Sequence, residues 1–299
     1  MAGGSMFKRK SKKDIVFDVF NTAVMVLICV ITLYPIWYTL IISLNEGPDA
    51  LLGGIFLLPR AFTLDNYITV FKKSDIIGAF GITIARTFIG TALSVFFTAM
   101  VAYGLSKRSL IGRKYYMGAG IVTMFFSGGL IPYFLLIKSM HLLDNFLVYI
   151  IPAMFNFYNC MIFMTFFDDL PLEVEESAKI DGANDFFIFI KMILPMSKPV
   201  LATIALFNGV YHWNDYFSGV IYVNNPSLLP IQTYLYKAVA EVSSSQMLGN
   251  LPAGISKSQV NSNTIKMATM IVTTLPIVCV YPFLQKYFVK GMLLGAVKG

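Results

Sequence analysis

The chain has 299 residues, of which 57% are hydrophobic and 13% charged, with a mean hydropathy of +0.69. That composition excludes an ordinary soluble globular domain and places the chain among helical membrane proteins. The net charge of +7 follows from how Lys and Arg are shared between the two sides of a membrane, so no nucleic-acid partner is implied.

Crossing the hydrocarbon core takes about 20 apolar residues. In chain order, six stretches qualify: Ile15 to Ser43, Ile77 to Leu105, Tyr116 to Ile137, Phe146 to Phe167, Pro199 to Val223 and Lys266 to Phe288. The expected fold class is therefore all-α, a polytopic membrane protein with six transmembrane helices over residues 15–288. Met1 to Ser5 read as a remnant ahead of a natural start at Met6, and residues 1–14 as a basic N-terminus. The first span is too long for a cleaved signal peptide.

Basic residues in short loops assign the sides. With the N-terminus cytoplasmic, fifteen of the 23 Lys and Arg fall inside and seven outside, and Arg86 lies within the second span. Both termini, the loop at 168–198 and the tail at 289–299 are thus expected in the cytoplasm of a multi-pass cell-membrane protein. Loops 44–76 and 224–265 are expected outside.

Several chemistries find no support. Cys29, Cys160 and Cys279 fall inside expected spans, where small apolar packing suits them, and they make no disulfide or metal framework. His141 and His212 stand outside any H-E-x-x-H pattern. Ser127-Gly128 and Ser218-Gly219 lack the partners of an intramembrane serine protease. No metal site is expected. There is no P-loop motif either, so any ATP that drives this chain is bound elsewhere.

The 168–198 loop carries the most specific pattern, Leu170-Pro171-Leu172-Glu173-Val174-Glu175-Glu176-Ser177-Ala178-Lys179-Ile180-Asp181-Gly182-Ala183. Pro171 fits the first turn of a helix, and Glu173, Glu175 and Glu176 sit near the positive end of its dipole. Gly182 ends that helix. Asn184 caps a second one through Phe186, Phe187, Ile188, Phe189 and Ile190, which is expected to stop before Leu194-Pro195 and to pack against the cytoplasmic ends of the spans through Phe186, Phe187, Phe189 and Ile190.

This arrangement resembles the EAA loop of permease subunits of binding-protein-dependent ABC importers. That pattern is Glu-small-Ala, three residues, Gly, nine residues, an aliphatic residue, any residue, then Leu-Pro. Here it reads Glu176-Ser177-Ala178, Gly182 and Met192-Ile193-Leu194-Pro195, with both spacings kept. Tyr34-Pro35-Ile36-Trp37, Trp213-Asn214-Asp215-Tyr216 and the ending Gly291-Met292-Leu293-Leu294-Gly295-Ala296-Val297-Lys298-Gly299 resemble carbohydrate-type importer permeases. The ending is similar to that of the second permease of the maltose importer. Phe126-Ser127-Gly128-Gly129-Leu130-Ile131-Pro132 resembles the branch handling complex, sometimes acidic, oligosaccharides, although helix packing explains the glycines equally well.

The resemblance implies the type I importer permease fold with a cytoplasmic coupling helix. It also implies a heterodimer with a second permease, two ATPase subunits that bind ATP and magnesium, an extracytoplasmic binding protein and a sugar or oligosaccharide substrate. Glu176, Ser177, Ala178, Asp181, Gly182, Ala183, Leu194 and Pro195 would couple to the ATPase, and Gly295, Val297, Lys298 and Gly299 would touch it. The two outer loops would meet the binding protein. No cofactor would be held by this chain, and it would not be an enzyme.

Polar groups inside spans are costly and mark candidate substrate-path residues: Arg86, Asn156, Asn159, His212, Trp213, Asn214, Asp215 and Tyr216, with Asn208 and Tyr211 beside them. The bland reading of each is a hydrogen bond between helices, and Arg86 can equally pair with Asp215 or face an acidic sugar. The competing class is an ion-gradient-driven secondary carrier. It calls for inverted repeats with matching ionisable residues, and Asp215 has no counterpart in the first half.

Overall fold

The computed structural model describes residues 12–72, 74–247 and 263–280. Among them the structure is all-helical, apart from one isolated bridge between Asn45 and Phe62. Of the described residues, 12–70 with 245–247 and 263–271 form one unit, and 71–72 and 74–244 with 272–280 form another.

In the first unit, α1 (Lys12–Ser43) coincides with the first expected span. It is followed by α2 (Gly47–Ala50) and α3 (Asp65–Lys72). The outer segment here is built on a buried asparagine. Asn45 accepts the backbone N–H groups of Arg60 at 2.8 Å and Ala61 at 2.9 Å, and it donates to Asp49 at 2.9 Å. Asn66 donates to the carbonyls of Ser43 and Asn45, each at 2.9 Å. The Asn45 bond, joined by Arg60, holds the Asp49 carboxyl below its ordinary value.

In the second unit, α4 (Ser74–Ser106) coincides with the second expected span and packs against α7 (Phe157–Asp168) and α11 (Lys198–Asn214). The core between them holds Ala99, Ala102, Cys160, Phe163 and Ile204, all fully buried.

The third, fourth and fifth expected spans are not single helices. Tyr116 to Ile137 divides into α5 (Arg113–Phe125) and α6 (Leu130–Ser139), which meet at 118°. Gly129 turns the chain at φ 82°, and a Cβ on it would touch nothing. The glycine therefore serves the turn and not close helix packing. Phe146 to Phe167 holds a short 3-10 turn at Phe146–Tyr149, then an irregular run that ends where the Asn156 side chain caps α7. At 12 residues α7 is too short to cross the core alone.

Pro199 to Val223 breaks at Asp215 and Tyr216, between α11 and α12 (Phe217–Tyr222). The stretch expected as an outer loop at 224–265 contains a 17-residue helix, α13 (Ile231–Met247). Its first N–H, on Ile231, donates to the buried Thr83 hydroxyl at 2.8 Å. The helix at 263–280, α14, enters the sixth expected span. The end of that span and the tail residues Gly295, Val297, Lys298 and Gly299 lie outside the described residues. Among those described, three helices are long and apolar enough to cross a membrane, or five if each of two bent pairs is one span.

Candidate functional site

The 168–198 loop folds as two helices joined at a glycine. α8 (Leu172–Ile180) starts with Pro171 at its N-cap, φ −60° and ψ 124°, one position ahead of the expected first turn. Its end is a Schellman motif. The Gly182 N–H donates to Lys179 O at 3.0 Å and the Ala183 N–H to Ala178 O at 2.9 Å, with Gly182 at φ 81°. Asn184 then accepts the Phe187 N–H at 2.8 Å and opens α9 (Asp185–Ile188).

The second helix does not stop before Leu194-Pro195. It passes through a π turn at Phe189–Ile193 into α10 (Leu194–Met196). In that turn the Leu194 N–H reaches back to Phe189 O, five residues away, which loosens the coil just where Pro195 lacks a donor and its ring would crowd a carbonyl. The chain bends by 85° between this helix and α11.

The loop has an inner and an outer face. Ala178 is buried in the same core cluster as residues of α4 and α7, so its small size serves internal packing, while Glu176 and Ser177 are exposed. Asp181 and Gly182 are exposed, Ala183 and Leu194 half-buried and Pro195 exposed. On the second helix Ile188 and Phe189 go inside, while Phe186 and Phe187 stay exposed. This reverses the expectation that both of those phenylalanines pack inward. Leu172 and Ile180 project at 71% and 86% exposure, on the same outer side as the acidic residues.

Ion pairs pin the inner face. Glu175 pairs with Lys107 at the end of α4 and with Lys179 at 3.0 Å, and Lys179 also reaches Asp185 at 3.3 Å. Lys107 lies 3.8 Å over the Tyr103 ring, which stacks on Phe189 at 5.4 Å. Burial alone would raise the Glu175 carboxyl, but the hydrogen bonds from Lys107 and Lys179 outweigh it and hold the group low. Lys179 is raised, chiefly by its bond to Glu175. A carboxyl lowered on folding stabilises the fold above its unfolded pKa, and that contribution disappears as pH falls through the lowered value. Glu175→Gln should therefore cost about 1 kcal/mol. Hydrogen exchange on α8 amides should speed up about fivefold at neutral pH, and the difference from the parent chain should vanish in acid.

A second constellation lies where α11 breaks. Arg86, fully buried on α4, pairs with the Asp215 carboxylate at 3.3 Å and donates to the Asp215 carbonyl. The Tyr149 ring covers the guanidinium at 5.1 Å, and the Tyr149 hydroxyl donates to Leu228 O at 3.0 Å. Asp215 also accepts the Ser218 N–H at 3.1 Å, capping α12. His212 packs against Gly90, where a Cβ would lie 2.4 Å from its Nε2 and 2.5 Å from its Cε1. Tyr216 stacks on Tyr236 at 5.0 Å, and Trp213 donates to Thr273 O at 3.3 Å. Gly90→Ala should thus cost about 1–3 kcal/mol by overpacking, read as a lower melting temperature of the purified protein.

Of the substrate-path candidates, Arg86 and Asp215 meet directly, and His212, Trp213 and Tyr216 hold the same break in place. Asn214 is exposed at the end of α11. Asn156 accepts the Asn159 N–H at 3.0 Å and is occupied in capping α7, with Asn159 buried on that helix. Asn208 receives the Ser94 hydroxyl at 3.1 Å and gives to Ile204 O at 2.9 Å, a tie between α4 and α11. Sequence reasoning missed Lys107, Tyr103 and Tyr149. Lys107 entered only as a topological charge, and nothing local marks the two tyrosines.

The family described as binding-protein-dependent transport system inner membrane component matches residues 118–294, which include the whole two-helix loop. The chain is 41% identical over 287 residues to the polygalacturonan/rhamnogalacturonan transport system permease protein YtcP of Bacillus subtilis (strain 168), covering 96% of this chain and 100% of the relative. It is 40% identical over 293 residues to protein LplC of the same organism, covering 97% of each. Among solved structures, a bacterial ABC transporter involved in the import of the acidic polysaccharide alginate matches with a TM-score of 0.85 and 30% identity, over 94% of this chain and 99% of that one. A family match over most of the chain and relatives this similar along their whole length lead to one conclusion: the chain belongs to the binding-protein-dependent transport system inner membrane components, the permeases of ABC importers.

Proposed function

We propose that this chain is one of two different permeases in an ATP-driven importer that moves an acidic oligosaccharide from an extracytoplasmic binding protein into the cytoplasm. The observation that carries the reading is the two-helix loop. Its inner face is locked to the second unit by Ala178, Glu175 and Phe189, while Leu172, Glu176, Ser177 and Ile180 stand outside. An element held rigidly on one side and exposing apolar and acidic groups on the other suits a surface groove on an ATPase. Closure of two such ATPases on ATP and magnesium would carry the loop with it and turn the spans as bodies between inward-open and outward-open states. Hydrolysis belongs to those subunits, because this chain has no P-loop of its own.

Partner and substrate follow from further observations. Of α1, only Ile41, Ile42 and Ser43 are buried, and Asn21, Thr22 and Trp37 line an open furrow along it; the second permease is assigned to that face. The Lys and Arg distribution supports a cytoplasmic position for both termini. The tail at 295–299 is assigned to ATPase contact on the sequence resemblance alone. An acidic substrate is favoured because YtcP is named for polygalacturonan and rhamnogalacturonan, and the solved relative imports alginate.

The test is to purify the tagged chain from its native membrane in mild detergent and identify what it retains. A second permease and a P-loop ATPase are expected, with uptake in vesicles that requires ATP, the binding protein and a uronate-bearing oligosaccharide. A chain that comes away alone and still drives uptake on an ion gradient would replace this reading with the secondary carrier. ATP-driven uptake confined to neutral sugars would overturn the substrate class only.

A further inference from the structure

A groove of about 560 Å³ opens between the end of α4, the turn that follows it and the start of α9. One wall is Met100, Tyr103 and Gly104, a stripe of the α4 face that Lys107 continues just past the helix end, and Phe186 and Phe189 close the groove from the other side. The wall is open at Gly104, where a Cβ would meet no atom within 4 Å. Both carboxylates near the groove are already neutralised, Glu175 by Lys107 and Lys179, and Asp185 by Lys179.

The rim is charged in one sense only. Arg108 and Lys114 are exposed, and the run from Lys107 to Tyr116 contains no acidic residue. Neither cation makes an ion pair among the described residues. Arg113 fastens the turn by donating to Leu105 O at 2.6 Å. Between these cations stand large apolar groups in the open, Ile111 at 93% and Tyr115 at 81% exposure, with Phe186 at 61% across the groove. Water suits the cations but not the apolar side chains that stand between them. A bilayer with anionic headgroups suits both, giving charge to the cations and acyl chain to the apolar side chains. The location agrees. At 33 residues, α4 is about 50 Å long at 1.5 Å per residue, well beyond the roughly 30 Å hydrocarbon core, so its end lies at headgroup level.

We propose that this groove is a binding site for an anionic phospholipid. One acyl chain lies along Met100, Gly104 and Phe186, and the headgroup phosphate sits on Arg108 and Lys114. Because Phe186 and Phe189 belong to the second helix of the 168–198 loop, an occupied groove holds that helix against α4. Lipid identity thereby bears on how firmly the loop is seated.

The experiment uses the full complex, purified in mild detergent and placed in nanodiscs of phosphatidylcholine alone or with phosphatidylglycerol. Phosphatidylglycerol retained by the complex after return to detergent is measured by native mass spectrometry. The parent complex should keep phosphatidylglycerol in preference to phosphatidylcholine. Arg108→Gln with Lys114→Gln should weaken that retention about 30-fold, since each cation near the surface contributes about a factor of five. Gly104→Leu, which fills the groove from a helical position with good propensity, should abolish retention while its associated subunits still co-purify. Equal retention in parent and variants would overturn the site. So would a photoreactive residue at position 104 that captures another polypeptide of the complex and no lipid, because the groove would then be a seat between proteins.

Discussion

Replacement of Gly182 by valine should leave the chain inserted in the membrane and yet strip it of its ATPase. Gly182 holds φ 81°, where a β-branched residue costs about 1–3 kcal/mol. A Cβ at this position would meet no atom within 4 Å, so the penalty is carried by the backbone and not by a clash. The cheapest relief is to undo the Schellman pair, Gly182 N–H to Lys179 O and Ala183 N–H to Ala178 O. That frees α8 from α9 and swings Glu176, Ser177 and Ile180 away from their common outer face.

The expected readout is a fall of more than tenfold in ATP-driven uptake, with the ATPase lost on purification. Gly182→Asn separates the two explanations, because asparagine visits the left-handed region readily. It should retain most of the coupling, with Gly182→Ala in between. If asparagine and valine were equally damaging, the outer surface at 182 would matter and the backbone would not.

The parts of this structure that were legible in the sequence are those governed by local chemistry. Gly182 ends α8 and Asn184 opens α9 because capping is settled within four residues, and the spacing from Glu176 to Pro195 identifies the loop before any packing is known. What lay hidden depends on partners distant in sequence. Ala178 is small in order to meet its own core, and Phe186 and Phe187 face out while Ile188 and Phe189 face in. Which side of a short helix is covered is decided by Tyr103 and Phe96, whose rings meet Phe189, and not by the helix itself. The pairing of Lys107 with Glu175 joins residues 68 positions apart.

Hydropathy also conceals breaks. The stretch from Phe146 to Phe167 is apolar enough to read as a span, yet Asn145 and Asn156 each accept a backbone N–H inside it, dividing it into a 3-10 turn and α7. Pro195 misled in the opposite direction. A proline usually ends a helix, but the π turn ahead of it removes the conflict, and the helix continues to Met196.

Removing Asp215 should damage assembly before it damages transport. Arg86 is fully buried, and its two contacts with Asp215 are the carboxylate and the main-chain carbonyl left over where α11 ends. An alanine at 215 keeps the carbonyl but leaves a guanidinium in an apolar interior without its counter-charge, which costs about 3–5 kcal/mol. It also withdraws the cap from Ser218. Arg86→Met should cost less, because Asp215 retains some exposure and the Ser218 N–H. With Asp215→Ala in an Arg86→Met background no buried charge is left unpaired, so the double variant should be more stable than Asp215→Ala alone, with a coupling of about 2 kcal/mol or more between the sites.

The melting temperature of the purified complex gives these four values, and uptake measured beside it assigns the role. The cation is enclosed by Asp215, Tyr149 and the body of α4, so its primary task is to tie the broken end of α11 to α4. Uptake should accordingly follow assembly through the cycle and return in the double variant. A double variant that assembles fully, yet carries a neutral oligosaccharide and refuses a uronate, would show that the guanidinium leaves Asp215 to meet the substrate's carboxylate. In that case the pair would act as a gate opened by the acidic sugar.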